Sequence, residues 1–152
     1  MVNYCKANLL DLFAIGQLEE ACFPLEAFSR RLIKNLLVSA KAVVFKAAEP
    51  TGEIIGNIMG TTKKENSSSV GRIFSLCVLT GHRKRGVATH LVRLLEEEFR
   101  LRDIRKIRLE VGTRNNVARA FYERMGYHTT SHILPHFYHD GTDAMVMRKD
   151  LS

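Results

Sequence analysis

Apolar positions along the chain follow two rhythms, one of two residues and one of three to four, and the switches between them mark out the elements. Val2 to Ala7 reads as a short first strand. Asn8, with Asp11 three residues on, forms a helix N-cap pair that opens a helix through about Cys22. Leu9, Leu12, Phe13 and Leu18 make its apolar face; Gly16 weakens it and Phe23-Pro24 breaks it. Ser29 to Leu37 predicts a second helix with Leu32, Ile33, Leu36 and Leu37 inward. Ala42 to Ala48 and Glu53 to Met59 read as strands, joined into a hairpin through the turn signal Glu49-Pro50-Thr51-Gly52. Lys63 to Ser69 is polar and serine-rich and reads as a mobile loop.

The next strand, about Val70 to Leu79, is apolar on nearly every residue from Ile73, which predicts burial on both faces. An amphipathic helix from Thr89 to Arg102 follows, with Val87, Leu91, Leu94, Leu95 and Phe99 on one stripe. Lys106 to Val111 is a strand. Asn115 or Asn116 caps a further helix to about Met125, with Val117, Ala120, Phe121 and Met125 inward and Tyr122 turned from that stripe. Gly126 ends it. Tyr127 to Ile133 is a strand, His139-Asp140-Gly141 a turn, and Ala144 to Arg148 the final strand. The order β-α-α-β-β-β-α-β-α-β-β predicts an α/β (α+β) fold, a mixed sheet of about seven strands with helices on its faces. No repeat or long linker interrupts it, so residues 1–152 read as a single domain.

Composition adds limits. Hydrophobic content of 45% and charged content of 26% are those of a soluble globular domain. No apolar run approaches the roughly 20 residues that span a bilayer, and the N-terminus lacks a signal-peptide pattern, so a cytoplasmic protein without membrane contact is expected. Cys5, Cys22 and Cys77 lie in apolar segments, and an odd count without a Cys-x-x-Cys pair predicts buried free thiols. His132-x-x-x-His136-x-x-His139 has ligand-like spacing only on a helix; Pro135 sits inside it, so no metal is expected.

Net charge is +7, and nine Lys/Arg against four Asp/Glu between Arg83 and Arg108 hold most of it. Glu96→Arg100 and Glu98→Arg102 stand at the favourable i,i+4 spacing of a solvated helix face. Arg83, Lys84 and Arg85 differ, because they sit in the glycine-bearing turn between the central strand and the helix after it. Such a turn points backbone N–H groups that the first helical turn cannot satisfy at one spot, where the helix dipole adds positive charge: an anion site. The pattern is neither Gly-x-Gly-x-x-Gly nor a phosphate loop ending in Gly-Lys-Ser/Thr. It is Arg83-x-x-Gly86-x-Ala88, small where backbone must approach a ligand. Alone it allows a nucleotide, nucleic acid or any phosphate.

Downstream stand Leu109-Glu110-Val111, Asn115, and Ala118-x-x-Phe121-Tyr122-x-x-x-Gly126-Tyr127. With these, the chain resembles the GNAT superfamily of acetyl-CoA-dependent N-acetyltransferases from roughly Val43 to Arg148. The family motif Arg/Gln-x-x-Gly-x-Gly/Ala is matched by Arg83, Gly86 and Ala88. The resemblance implies acetyl-CoA as co-substrate. It implies that backbone amides from Arg83 through Lys84, Arg85, Gly86 and Val87 to Ala88 hold the pyrophosphate, and that the strand edge at Leu76, Cys77 and Val78 pairs with the pantetheine arm. Asn115 would touch the same arm, and Tyr122 would stand beside the thioester sulfur. Within the superfamily the chain is most similar to the N-terminal protein acetyltransferases, including the ribosomal-protein alanine and archaeal enzymes. Glu110 stands where that group carries its general base. Phe23, Pro24 and Phe28 lie in the loop that shapes its peptide groove, and Phe137-Tyr138-His-Asp-Gly-Thr-Asp-Ala144-x-x-Met147 is close to its tail, with Tyr138 toward substrate. Phe137 replaces a tyrosine common there, and Gly112 stands where arginine usually follows Glu-Val.

The residue types suit the chemistry. Transfer to an amine needs a neutral nucleophile, a stabilised oxyanion and a protonated leaving thiolate. Glu110, on a buried strand, can draw a proton through water. The Tyr122 phenol can donate to the departing sulfur, and a backbone N–H near Cys77 or Val78 to the oxyanion. An α-amine, with a reference pKa of about 8, asks less of the base than a lysine at about 10.4. The favoured acceptor is therefore a protein or peptide N-terminus, a ribosomal protein among the candidates, ahead of a lysine or small amine. A histidine lining the mouth is an alternative base, and Cys77 reads as a small buried hydrophobe rather than an acyl carrier. The reading of another class is a non-catalytic module that senses acyl-CoA or docks on RNA or the ribosome. Phe99 is the only aromatic among the basic residues from Arg83 to Arg108, which argues against nucleic acid.

Overall fold

The computed structural model describes residues 1–83 and 85–152; Lys84, expected beside the anion site, lies outside the described residues. The elements are β1 (Asn3–Lys6), α1 (Leu12–Cys22), α2 (Arg30–Val38), β2 (Ala42–Ala48), β3 (Ile54–Glu65), β4 (Ser68–Val78), α3 (Val87–Leu101), β5 (Lys106–Gly112), α4 (Asn116–Arg124), β6 (His128–Leu134) and β7 (Ala144–Asp150). They form one seven-stranded mixed sheet in the order β1-β2-β3-β4-β5-β7-β6, with β4 and β5 its parallel pair. Helices lie on both faces, as the alternation of apolar rhythms requires.

The α3 stripe of Val87, Leu91, Leu95 and Phe99 is fully buried against Val43, Phe45, Ile58 and Ile73. It can approach this closely because Gly60 and Gly71 leave the sheet bare beneath it. A Cβ on Gly71 would sit 2.6 Å from Phe99 Cε2, and one on Gly60 2.7 Å from Leu95 Cδ1. On the other face Ile15, Ile33 and Leu36 pack on Val44 and Met59. The expected caps are present, Asn8 with Asp11 as a capping box and Asn115 on Ala118 N–H, and Ser29 adds a third with its Oγ on Leu32 N–H.

Several expectations need correction. Lys63 to Ser69 is not a mobile loop. β3 runs to Glu65 and β4 begins at Ser68, so the stretch is a hairpin closed by Asn66 and Ser67 at φ 47° and 73°. Two positive φ values in a two-residue loop match the right-handed twist of the paired strands. Leu9 and Phe13 are exposed rather than inward, because a 3-10 turn over Leu9–Asp11 shifts the phase before α1 begins; Ile15 and Leu18 face the core. Val117 is exposed at 83% and Ala120 is exposed too, while Tyr122 is buried with Phe121 and Met125 packed nearby. β4 alternates between buried and half-buried positions rather than being covered on both faces. Cys5 is exposed, Cys22 half-buried and Cys77 buried, all as free thiols. Glu98 pairs with Arg102 at 3.0 Å as expected. Glu96, however, is buried and accepts from Tyr127 and Lys149, and Arg100 turns to Glu97.

Candidate active site

The site is built where the sheet parts. β4 and β5 pair at Gly71↔Ile107 and Arg72↔Arg108 only, and diverge beyond them. The divergence follows a bulge: Gly60 pairs with Ile73 and Met59 with Ser75, leaving Phe74 unpaired. An extra residue bends a strand and increases its twist. Past the bulge, Leu79 N–H donates to Ile55 O of β3 at 2.9 Å. Alternation then aims the backbone groups of Cys77 at β3 and those of Leu76 and Val78 into the gap.

At the end of that gap the basic turn leads into α3. Gly86 is the N-cap at φ 78°, a conformation that glycine adopts without strain, and a Cβ there would meet nothing within 4 Å. The first helical bond runs from His90 N–H to Gly86 O. Among the described residues, the N–H groups of Val87, Ala88 and Thr89 therefore have no acceptor, as expected of an open anion site. The flanking arginines are tied down. Arg83 Nε donates to Val78 O at 3.0 Å, and Arg85 donates to Glu49 Oε1 at 2.9 Å. This cradle, with the open β4 edge behind it, fits a phosphorylated carrier with a long amide-bearing arm.

Across the gap Glu110 sits on β5 with its side chain 9% exposed. Arg72 donates Nε–H to Glu110 Oε1 at 2.8 Å and adds Nη2–H to the same oxygen. Among the described residues Oε2 accepts no hydrogen bond. Tyr122 on α4 is buried, and burial, then Tyr138, push its phenol well up, so it stays an O–H donor at neutral pH. Tyr138 is pushed up to about 12 by burial, then by Glu110 and Glu26. Tyr138 thus lies in the electrostatic field of Glu110 and Tyr122, and its ring reaches to 3.6 Å from where a Gly112 Cβ would stand. Asn115 caps α4 beside Gly112, whose carbonyl accepts its N–H at 3.0 Å.

Of the loop residues, Phe23 ends α1, Pro24 is exposed, and Phe28 stacks on the bulge residue Phe74 at 4.6 Å. Phe74 in turn lies under the Arg72 guanidinium at 5.0 Å, so the loop before α2 is linked by packing to the ion pair at Glu110. Phe137 lines a cleft of about 480 Å³ that also holds Glu110 and Arg72.

Sequence reasoning missed three features. Arg72 lies 38 residues from Glu110, and only the parallel register brings them together. Glu26 and His139 join the α1–α2 and β6–β7 loops: His139 N–H donates to Glu26 Oε2 at 2.8 Å, and its Nδ1 lies 2.9 Å from Leu25 O. Glu19 is fully buried on α1 and accepts from Ser75 Oγ at 2.8 Å and Cys77 Sγ at 3.2 Å. Ser75 and Cys77 sit on β4 behind the gap, and Asn57 of β3 donates to Glu19 as well, at 3.4 Å. The Cys77 thiol is pushed up by its hydrogen bond with Cys22, by burial and by Glu19. It is held protonated, which makes it a poor nucleophile. Among the described residues no group of three His, Cys, Asp or Glu side chains is placed to hold a metal ion, and no helix is long and apolar enough to cross a membrane.

Comparisons with known proteins agree with this geometry. Residues 12–127 match the family described as Acetyltransferase (GNAT). The chain is 35% identical over 148 residues to "Uncharacterized N-acetyltransferase MJ1530" of Methanocaldococcus jannaschii, covering 95% of this chain and 88% of that protein. It is 29% identical over 153 residues to the N-terminal acetyltransferase A complex catalytic subunit NAA10 of Arabidopsis thaliana, covering 99% and 79%. The fold matches that of Arabidopsis thaliana NAA60 in complex with acetyl-CoA at a TM-score of 0.88 and 19% identity, covering 99% and 98%. A parted parallel strand pair, an open helix N-terminus and a family match over most of the chain lead to one conclusion: the chain belongs to the GNAT acetyltransferase family and is an N-acetyltransferase.

Proposed function

We propose that the enzyme acetylates the N-terminal α-amine of proteins or peptides by direct transfer in a ternary complex. The observation that carries this reading is the tie between the two loops at the mouth. Glu26 and Leu25 of the α1–α2 loop are bonded to His139, the neighbour of Tyr138, and Tyr138 stands in the field of Glu110. A mouth bridged in this way suits the end of an extended chain, with its amine leading. The similarity to NAA10, an N-terminal acetyltransferase subunit, supports the same acceptor.

Acetyl-CoA, when bound, supplies the acetyl group as a thioester. The N–H groups of Gly86, Val87 and Ala88 would hold its pyrophosphate, with Arg83 and Arg85 alongside. Leu76, Cys77 and Val78 would run beside the pantetheine arm, with Asn115 facing it. Glu110, oriented by Arg72, keeps Oε2 free to take a proton from the acceptor amine through water. As the amine nitrogen bonds the acetyl carbon and the carbon–sulfur bond breaks, Tyr122 would donate its proton to the departing sulfur, and Val78 N–H would face the carbonyl oxygen. Phe23, Pro24, Phe28 and Tyr138 shape the acceptor's path.

Thiol-release kinetics with acetyl-CoA test the acceptor, using free-N-terminus peptides, N-blocked lysine peptides and small amines. Turnover is expected on the first group; turnover confined to the blocked lysine peptides would reject it.

A further inference from the structure

Arg72, Arg108 and Arg148 are register neighbours on the adjacent strands β4, β5 and β7. All three line the cleft that contains Glu110. Like charges directly opposite one another in a sheet are destabilising, and packing over Phe74 accounts for Arg72 alone, while the Arg108 side chain is 39% exposed and Arg148 is exposed. The nearby carboxylates do not cancel it. Arg72 is engaged with Glu110, and Arg108 reaches Glu65 at 3.6 Å. Arg148 has no carboxylate within 4 Å among the described residues. The cleft therefore holds three guanidinium groups against two carboxylates.

We infer that this arginine row is a subsite for an acidic side chain of the acceptor, an aspartate or glutamate at its third residue. The inference rests on the α-amine reading above. Its spacing argument is direct. Arg108 and Glu110 are two residues apart on one strand, so their backbone positions lie about 7 Å apart along it, while the Arg72 side chain reaches back to the Glu110 carboxylate. An extended acceptor advances about 3.5 Å per residue. With its amine at Glu110, its third residue stands level with the row. Guanidinium groups bind carboxylates through paired N–H donors, which suits Arg148 and Arg108 to this role. RNA phosphates share the charge, but among the described residues Phe137 and His132 are the only rings lining the cleft, a sparse platform for successive bases.

The test compares acetylation of three peptides identical except at the third residue, glutamate, glutamine or lysine, by the parent and by Arg148→Gln and Arg108→Gln. The glutamate peptide should exceed the glutamine peptide in kcat/KM by about tenfold, as expected for one charge-assisted hydrogen bond. Added salt should shrink the ratio. In either variant the ratio should fall toward one, and in Arg148→Glu the lysine peptide should overtake the glutamate peptide. Using two positions guards against one variant failing to fold. Equal turnover of glutamate and glutamine peptides by the parent overturns the subsite and leaves the α-amine reading standing. Turnover of blocked lysine peptides alone overturns both. Binding of a single-stranded RNA oligonucleotide that is lost in Arg148→Gln, without peptide discrimination, reassigns the row to nucleic acid and overturns it as well.

Discussion

Arg72 donates twice to one oxygen of Glu110 and leaves the other open. At the scale of single residues, that arrangement holds the carboxylate by one oxygen and leaves the other for the base role proposed above. Tyr122 shows the complementary case: burial keeps its proton on, so its value is as a donor. Tyr122→Phe should lower kcat by roughly 100-fold or more, the range for a positioned acid. Isothermal titration should find acetyl-CoA binding almost unchanged, and undiminished turnover would remove Tyr122 from the chemistry. Glu19 makes a prediction of another kind. Burial raises its pKa, and bonds from Cys77, Ser75 and Asn57 only partly oppose this. A carboxyl with a higher pKa folded than unfolded binds its proton more tightly in the native state. Its stabilising contribution is complete below the unfolded pKa and is lost as pH rises through the folded one. Glu19→Gln should therefore gain stability relative to the parent as pH increases from about 4 to 8, read by urea unfolding at each pH. A difference independent of pH would sink this account.

At the scale of elements, the β3–β4 hairpin sets the geometry of the site. Its register places the bulge at Phe74, the bulge accompanies the parting of β4 from β5, and the parting opens Leu76 and Val78. The turn that fixes the register carries Ser67 at φ 73°, where a side chain is strained. Ser67→Gly should raise stability by up to about 1 kcal/mol through relief of that strain, less the greater freedom gained by the unfolded chain. Chemical denaturation measures it. Gly71 makes the opposite demand, because Phe99 occupies the space of its Cβ. Gly71→Ala should cost about 1–3 kcal/mol by overpacking, and should also weaken acetyl-CoA binding, since α3 carries the anion site at its N-terminus. Loss of stability with unchanged binding would show that α3 shifts without moving its first turn.

At the scale of the molecule, the helices cover β2, β3 and β4 on both faces, and the proposed site lies where the sheet opens. Acetyl-CoA that binds only the folded chain should raise the unfolding free energy by about 2.7 kcal/mol at a hundred times its Kd. Gly86→Val should abolish most of that gain, because Gly86 stands at φ 78° where valine is strained. Thermal shift against ligand concentration reads both. What the sequence determined by itself is local: apolar period, caps and turn glycines set the element order, the α3 stripe, the Asn8 and Asn115 caps, and the open turn at Gly86. The family membership was also legible, since Glu110, Tyr122 and Tyr138 each sit in a short pattern that resembles the family's. Where local signals were ambiguous the reading failed. The Asn66-Ser67 turn lacks the glycine that announces such hairpins, and the phase of α1 depends on a 3-10 turn that no period reveals. Tertiary structure alone decided the pairs: Arg72 with Glu110, Glu26 with His139, Glu19 with Ser75 and Cys77, and Arg108 between Arg72 and Arg148. Those contacts follow from strand register and loop closure, which come from packing the whole sheet at once, and no interval along the chain encodes them.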